Sequence, residues 1–457
     1  MQPASDLFRA PEHVAPGTSA APNIPWTPPP SAVPPAVERQ SRVTLPAGVQ
    51  PGSSISLAEA IEVALTNNPA TRAAWLDTLA AEAALGSRRS AYLPEVDLSA
   101  PLVRGRPIQG TLATTFTPSL SLTYLLFDFG GRAAQVEEAR QTLIASAYSQ
   151  NQTIQNVVLR TQQAYYSYLN AKALVAAQSA TIRERDTATE SADARHTAGV
   201  ATIADVLQAR TARSQAQLAY ETFEGNLRSA EGVLSTAMGL PPTTRFTAGE
   251  LPADLPLDTV SRTVEELIEQ AEATRPDLAA ARAGVLNARA RIRDVRSQGL
   301  PTVGLSGTAG RNLVLGGTSP SMNTYSAGVD LRFPLFTGFR STYDVRQAEA
   351  IAQMTEENTR SLADEVSLQV WNSYYALQTA AQRVRTSRDL LTSAQQTVDV
   401  ETSRYKAGVG SIIDLLTAEA ALENARAQEV QSRADWLVAV AQLAHDTGSL
   451  GPPQQGK

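Results

Sequence analysis

The sequence RHTAGVATIADVLQA occupies Arg195 to Ala209, and a close copy, RYKAGVGSIIDLLTA, occupies Arg404 to Ala418, 209 residues further along the chain. In both copies a long helical pattern runs into Ala-Gly-Val, is interrupted, and restarts at an Asp followed by two apolar residues. Glycine tolerates the left-handed backbone angles that end many helices. Gly199 and Gly408 therefore predict two turns between antiparallel helices, and the chain is predicted to be a duplicated helical hairpin.

Composition and charge exclude several functional classes. The net charge is −6 over 457 residues and no stretch is strongly basic, so nucleic-acid binding is not expected. The chain has no cysteine and only three scattered histidines, which argues against disulfides, thiolate chemistry and a zinc site. Nucleophile elbows, phosphate-binding loops and dinucleotide-binding glycine motifs are also absent from the sequence. We therefore expect no enzyme, no cofactor and no bound metal.

Both copies open with the same three signals: a capping box, a helix break before proline, and a Leu-Pro stop. The signals are Ser56 with Glu59, Asn68-Pro69 and Leu93-Pro94 in the first copy, and Thr263 with Glu266, Arg275-Pro276 and Leu300-Pro301 in the second. A capping box marks a helix N-terminus, and proline cannot continue a helix that precedes it. The predicted order is a Pro-rich extended leader (1–55), a first repeat (56–240), a linker (241–262), a second repeat (263–450) and a tail (451–457).

After each Leu-Pro stop the apolar period changes from that of a helix to that of a strand. Alternating stretches cover about residues 95–104 and 112–126, and about 302–311 and 324–335. Strands of this length with one apolar face suit a tilted membrane crossing, although a half-buried soluble sheet would alternate in the same way.

Aromatic residues near the ends of these strands resemble a girdle at a membrane interface. They are Tyr124, Phe127, Phe129, Phe333, Phe336 and Phe339. Four strands cannot close a barrel, because about eight are needed. If the strands face lipid, several chains must share one barrel.

Two very long helices follow the strand pairs. From about Gly131 to Thr197, and again from about Ser341 to Ala407, no proline or glycine interrupts the helical pattern. Each helix would be on the order of 100 Å long. The returning helices, about 202–238 and 411–447, carry alanine at spacings of three and four. Small side chains allow close helix approach, so antiparallel coiled coils are expected.

This order of elements, present twice with the same turn motif, resembles the TolC family of outer membrane efflux proteins over about residues 56–450. The resemblance implies a mainly α fold with a membrane β-barrel part. Long antiparallel coiled-coil helices would form a periplasmic α-barrel. Four strands from each of three chains would form a twelve-stranded barrel in the outer membrane of a Gram-negative bacterium.

The resemblance also places the recurring turns, about residues 197–202 and 406–411, at the periplasmic tip, where an adaptor (membrane fusion) protein docks. By that analogy Gly199, Val200, Gly408 and Val409 are docking candidates, because glycine leaves the backbone accessible and valine supplies an apolar contact. The alternative is that these residues only build the turns.

Arg195 and Arg404 lie in the last turn of the two long helices. A cation in this position satisfies carbonyl groups at the helix end and complements the helix dipole. This structural role is preferred for both arginines over contact with a partner.

Asp205 and Asp414 lie at the start of the returning helices, where a carboxylate by itself is a helix cap without further function. In a trimer they would form a ring of carboxylates that favours cations at the narrowest point. The resemblance assigns both to the gate, with Tyr405 as a hydrogen-bond partner of Asp205. A well-known family member has a clamping arginine and a second carboxylate where this chain has Gly410 and Thr417, so the closing network must differ.

The implied function is that of a passive exit duct of a tripartite efflux pump, with a tip gate that opens on adaptor docking. Its partners would be two further copies of the chain, the adaptor, indirectly an inner-membrane transporter, and outer-membrane lipid. Type I protein secretion would use the same architecture. An alternative from another class is a coiled-coil structural spacer that conducts nothing.

Overall fold

A computed structural model describes residues 52–106, 112–257, 262–315 and 321–450. The predicted leader up to residue 51, part of the linker (258–261) and the tail (451–457) lie outside the described residues. In chain order the elements are β1 (Ser54–Ile55), α1 (Leu57–Asn67), α2 (Pro69–Arg89), β2 (Glu95–Ser99), β3 (Leu102–Gly105), β4 (Ala113–Phe116), β5 (Ser119–Phe127), α3 (Gly131–Thr197), α4 (Ile203–Ala237), β6 (Thr247–Ala248), α5 (Val264–Thr274), α6 (Pro276–Ser297), β7 (Thr302–Leu315), β8 (Met322–Arg332), α7 (Arg340–Lys406) and α8 (Ile412–Asp446).

The predicted long helices and returning helices are confirmed. Helices α3 and α7 have 67 residues each and α4 and α8 have 35 each, so the long helices extend on the order of 100 Å. Between α3 and α4 the buried contacts near the turn are Ala192, Val206 and Ala209. Small residues of this kind let the two helix backbones approach closely. No helix in the described ranges combines the length and the apolar character needed to cross a membrane.

The helices pack as two connected layers. Next to the sheet the neighbours are α2, α3, α6 and α7 in that order, whereas toward the turns α4 packs on α3, α3 on α8 and α8 on α7. The two long helices therefore run through both layers. The contact between α3 and α8 joins the first hairpin to the second.

The middle of α3 is tied to the segments that flank the first repeat. Strand β1 pairs in parallel with β6, and Ile55 is buried in the main core. The Tyr165 hydroxyl donates a hydrogen bond to the Ile55 carbonyl over 3.2 Å, and Lys172 Nζ donates one to the Ala248 carbonyl over 2.7 Å. The end of the predicted leader and the inter-repeat segment are thus fixed against the same helix.

The first two predicted strands are each divided by a proline. The stretch 95–104 forms β2 and β3, separated at Pro101, and the stretch 112–126 forms β4 and β5, separated at Pro118. Proline has no N–H to donate to a strand ladder. Its carbonyl still accepts: the Thr117 N–H bonds to Pro101 and the Arg311 N–H bonds to Pro118. Strand β7 extends beyond its predicted end at about 311, to Leu315.

The six strands other than β1 and β6 form one antiparallel sheet with an apolar and a polar face. One row across β2, β5, β7 and β8 consists of Leu98, Leu120, Ala309 and Tyr325, and the adjacent row consists of Asp97, Ser121, Thr308 and Ser326. Residues directly opposite each other in a ladder share a face.

The sheet has two open edges within the described ranges. Strand β8 pairs with β7 alone, while β2 and β3 pair with β5 and β4 alone. The apolar face is also uncovered in the single chain, where Tyr325 is 87% exposed. Open edges can pair with strands of another chain, and an uncovered apolar face is stabilised by apolar surroundings.

Candidate functional site at the helical turns

Both turns have the geometry that the Ala-Gly-Val motif predicts. Gly199 has φ +76° and Gly408 has φ +80°. The Val200 N–H donates to the Arg195 carbonyl and the Val409 N–H to the Arg404 carbonyl, over 2.9 and 3.0 Å, which completes a Schellman motif at each helix end. The valine side chains point away from the packed helices and are 64% and 71% exposed. Each turn therefore presents an apolar side chain and accessible backbone.

Arg195 connects the two hairpins at this end of the molecule. Its Nη1 donates to the Tyr405 carbonyl over 2.7 Å, and its guanidinium carbon lies 4.8 Å from the centre of the Tyr405 ring. Arg195 therefore satisfies a carbonyl at the end of α7 and not of its own helix. Arg404, at the equivalent place in the second repeat, is half-exposed and pairs with Glu401 over 2.8 Å.

The two candidate gate carboxylates differ in their surroundings. Asp205 closes a capping box: its Oδ2 accepts from the Thr202 N–H over 2.9 Å, and its own N–H donates to Thr202 Oγ1. The Asp414 N–H likewise donates to Ser411 Oγ over 3.1 Å. Its exposed carboxylate, however, has no hydrogen bond or ion pair within the described part of the chain. Of the two carboxylates, that of Asp414 is thus the one left open to solvent.

The predicted hydrogen bond from Tyr405 to Asp205 is wrong for this structure. Tyr405 is buried against Ile412 and Leu415, and its hydroxyl finds no partner among the described residues. The Asp205 carboxylate accepts a hydrogen bond from the Thr202 N–H instead. Burial raises the pKa of the Tyr405 phenol, Arg195 opposes this and Asp205 adds to it, so both charges act on the ring without a bond to the hydroxyl.

Tyr405→Phe is therefore expected to leave the tip intact. Removing a buried hydroxyl that has no partner should change the free energy of unfolding by less than about 1 kcal/mol, in the stabilising direction. Tyr405→Ala is the control, because it removes the ring and should cost about 3–5 kcal/mol. Thermal unfolding of the purified variants measures both. A Phe variant as unstable as the Ala variant would mean that the hydroxyl holds the tip together.

The two positions at which this chain departs from a clamped gate have local roles. The Gly410 N–H donates to the Arg404 carbonyl over 3.1 Å, and a Cβ on Gly410 would lie 3.1 Å from both Arg404 Cβ and the Tyr405 backbone nitrogen. A large side chain at residue 410 would displace the turn. Thr417 donates its hydroxyl to the Ile413 carbonyl within α8 over 2.7 Å. Within the described ranges, the hydrogen bonds of both residues stay inside the second hairpin.

The link that the sequence did not reveal is a buried ion pair between α3 and α8. Arg185 and Glu419 are 3% and 6% exposed, with 2.6 Å between Arg185 Nη1 and Glu419 Oε2. Arg185 also contacts Glu423 over 3.6 Å. The spacing of residues in α3 could have indicated that Arg185 is buried, because Arg185 lies on the same helix face as the buried Ala188 and Ala192, three and seven residues before them.

A second ion pair joins the same two helices. Arg426 of α8 makes two bonds of 2.8 Å to the carboxylate of Glu184. Parallel bonds of this kind fix the orientation of both groups. Charged contacts from two adjacent residues of α3 therefore reach successive turns of α8 and join the first hairpin to the second.

Comparisons with known proteins agree with this architecture. The family described as outer membrane efflux protein matches residues 60–240 and 267–449, which correspond to the two repeats. The chain is 30% identical to Protein CyaE of Bordetella pertussis over 449 residues, covering 93% of each chain. It is 26% identical to outer membrane protein TolC of Escherichia coli, covering 87% of this chain and 84% of that one.

A solved structure has the same fold. The outer membrane protein VceC of Vibrio cholerae matches with a TM-score of 0.76 at 20% identity, over 86% of this chain and 96% of that chain. The duplicated helices, the strand pairs between them and the sequence match over both repeats lead to one conclusion. The chain belongs to the family of outer membrane efflux proteins.

Proposed function

We propose that three copies of this chain form a passive exit duct that carries solutes from a periplasmic adaptor and an inner-membrane pump to the cell exterior. As a member of its family the protein lies in the outer membrane of a Gram-negative bacterium, with its helices in the periplasm. The duct transforms no substrate. Energy comes from the pump, and the helical turns form a gate that opens when the adaptor docks.

The observation that carries the proposal is the sheet with two open edges above a body of very long helices. Two unpaired edges and an uncovered apolar face are unsuited to a solitary chain. Three copies joined edge to edge supply twelve strands, enough to close a barrel with its apolar face toward lipid. The helices continue the wall of that barrel into the periplasm.

The turns suit a docking role because of what they expose. Val200 and Val409 offer apolar contacts, and Gly199 and Gly408 leave the backbone uncovered around them. A helical hairpin of an adaptor protein could lie in the grooves between the coiled coils and meet these residues. Small-molecule efflux and type I protein secretion would both use such a duct.

Conductance in a planar bilayer tests the proposal. The wild type should form cation-selective channels, and Asp205→Asn with Asp414→Asn should reduce the reversal potential in a salt gradient by about half or more, because the ring of charge is lost. Asn retains an oxygen that can accept the Thr202 hydrogen bond. Asp414→Asn alone should have the larger single effect, since its carboxylate is not engaged in a cap.

Asp77→Asn with Asp364→Asn is the matched control, because both residues are exposed on helices nearer the sheet. An equal loss of selectivity in this control would show that the selectivity does not arise from carboxylates at the turns. A wild type that forms no channel and stays in solution without detergent would favour the coiled-coil spacer.

A further inference from the structure

An open groove of about 690 Å³ lies where the start of α3 meets the end of α6, next to the sheet. Its lining includes Phe129, Arg140, Arg293, Arg296 and Leu300. We propose that this groove binds the phosphate headgroup of an anionic phospholipid from the periplasmic leaflet of the outer membrane. The inference rests on the membrane placement of the strands, and not on the gate at the opposite end.

The strand register places the groove beside the lipid-facing side of the sheet. Phe127 lies opposite Val303, and Val303 lies opposite Leu331, in a row of the apolar face. The ring of Phe129 packs edge-on against Phe127 with 4.7 Å between ring centres. Because Phe129 also lines the groove, the groove opens just beyond the apolar band. Lipid phosphates lie at that depth.

The charges of the groove favour an anion. Arg140 is bound to Glu137 by two bonds of 2.8 Å, and Arg296 pairs with Glu349 over 2.5 Å. Arg293 has no hydrogen bond or ion pair in the described ranges. Two of the three lining guanidinium groups are thus paired with a carboxylate, on Glu137 and Glu349, and the charge of Arg293 gives the groove its excess of positive charge. A guanidinium matches a phosphate with two parallel hydrogen bonds.

Glu137 offsets one of the three positive charges at every physiological pH. Hydrogen bonds from Arg140 and Gln141 lower the pKa of its carboxyl group to about 2, and the charges of Arg140 and Arg293 act in the same direction. The carboxylate therefore competes with any incoming phosphate for Arg140. Its removal should strengthen anion binding.

The internal repeat indicates that the fold does not require these arginines. Arg140 is the tenth residue of α3, and the tenth residue of α7, which has the same length, is Glu349. The position equivalent to Arg293 in the first repeat is Gly86, 207 residues earlier. A duplicated frame that tolerates glutamate and glycine at these places has no structural need for cations there.

The apolar part of the groove distinguishes a lipid from a soluble phosphate. Phe129 and Leu300 are 50% and 41% exposed and stand between the arginines and the sheet. A phospholipid could place its phosphate among the guanidinium groups while its acyl chains follow the apolar row that contains Phe127. A free anion would gain nothing from that row.

Native mass spectrometry of the detergent-purified full-length chain tests the site, with dioleoylphosphatidylglycerol added in mixed micelles. Arg140→Gln with Arg293→Gln and Arg296→Gln should weaken lipid retention about fivefold for each arginine removed. Arg183→Gln with Arg360→Gln and Arg383→Gln is the matched control, with the same change of charge on exposed helix positions away from the groove, and should retain lipid as the wild type does.

Two single variants keep the test independent of folding. Arg293→Gln breaks no ion pair of the described residues yet should weaken binding, and Glu137→Gln should strengthen it by freeing Arg140. Equal lipid retention by the wild type and the triple variant would overturn the proposal. A control variant that lost as much lipid as the triple variant would also overturn it. If glycerol 1-phosphate at the same concentration displaced the bound lipid as well as added phospholipid does, the ligand of the groove would be a soluble anion and not a lipid. None of these results depends on channel conductance.

Discussion

Glu419→Ala is expected to loosen the contact between the two hairpins by about 3 kcal/mol, because it removes the nearer counterion of the buried Arg185 guanidinium and leaves only the partly exposed Glu423, 3.6 Å away. A guanidinium cannot lose its proton in a protein, so the charge of Arg185 would have to be compensated by Glu423 alone or by water that enters as α8 moves away from α3. Hydrogen exchange of the α8 backbone around Leu415 to Leu422 should accelerate about a hundredfold or more.

The converse change should be milder. Burial raises the pKa of the Glu419 carboxyl, and Arg185 opposes that shift. In Arg185→Ala the carboxyl can bind a proton and become neutral, which lowers the cost of its burial. The raised pKa also means that the folded state favours the protonated carboxyl, so the stability that this group contributes is fully present below its unfolded pKa and is lost as the pH rises through its folded pKa.

A double variant and a control distinguish the effect of an unpaired buried charge from the effect of losing any ion pair. Arg185→Met with Glu419→Leu should restore slow exchange, because apolar residues of similar size often replace a buried pair without loss. Glu357→Ala is the control: Glu357 and Arg360 are 70% and 75% exposed, and such a pair contributes less than about 1 kcal/mol. A Glu419 variant no more mobile than the Glu357 variant would show that the pair does not hold the hairpins together.

The features that could be predicted from the sequence are those that depend on residues close together in the chain. The Schellman turns at Gly199 and Gly408 and the capping box of Ser56 with Glu59 depend on contacts within six residues. The long helices follow from an uninterrupted period, and the apolar face of the sheet follows from alternation. Such local signals survive in any fold that contains them.

The features that the sequence missed depend on contacts between distant parts of the chain. Arg185 and Glu419 are 234 residues apart, and Arg195 reaches a carbonyl 210 residues away. No spacing rule connects positions on two separate hairpins. The Tyr405 hydroxyl illustrates the same limit, since packing of its ring against Ile412 and Leu415 decides its orientation. The breaks at Pro101 and Pro118 were local, and the missing N–H of proline could have predicted them.

Gly239→Ala is expected to be the most damaging glycine substitution in the first repeat. Gly239 follows the end of α4 with φ +75°, and a Cβ there would lie 2.7 Å from the carbonyl carbon and oxygen of Asn67 and from the backbone nitrogen of Asn68. These are backbone atoms at the α1–α2 junction and cannot rotate away. Left-handed strain and overpacking together should cost about 2–5 kcal/mol.

Gly199→Ala is the matched control, because Gly199 has φ +76° while a Cβ there would meet nothing within 4 Å. It should incur the left-handed strain alone, about 1–2 kcal/mol. Gly448→Ala should fall between the two, since its nearest neighbour is the side-chain oxygen of Thr274 at 2.8 Å and the nearest backbone atom, the Arg275 nitrogen, is 3.1 Å away. Thermal unfolding gives the order. Equal losses for Gly199 and Gly239 would mean that α4 can part from the α1–α2 junction at little cost, despite the bond from Asn68 Nδ2 to the Ala237 carbonyl.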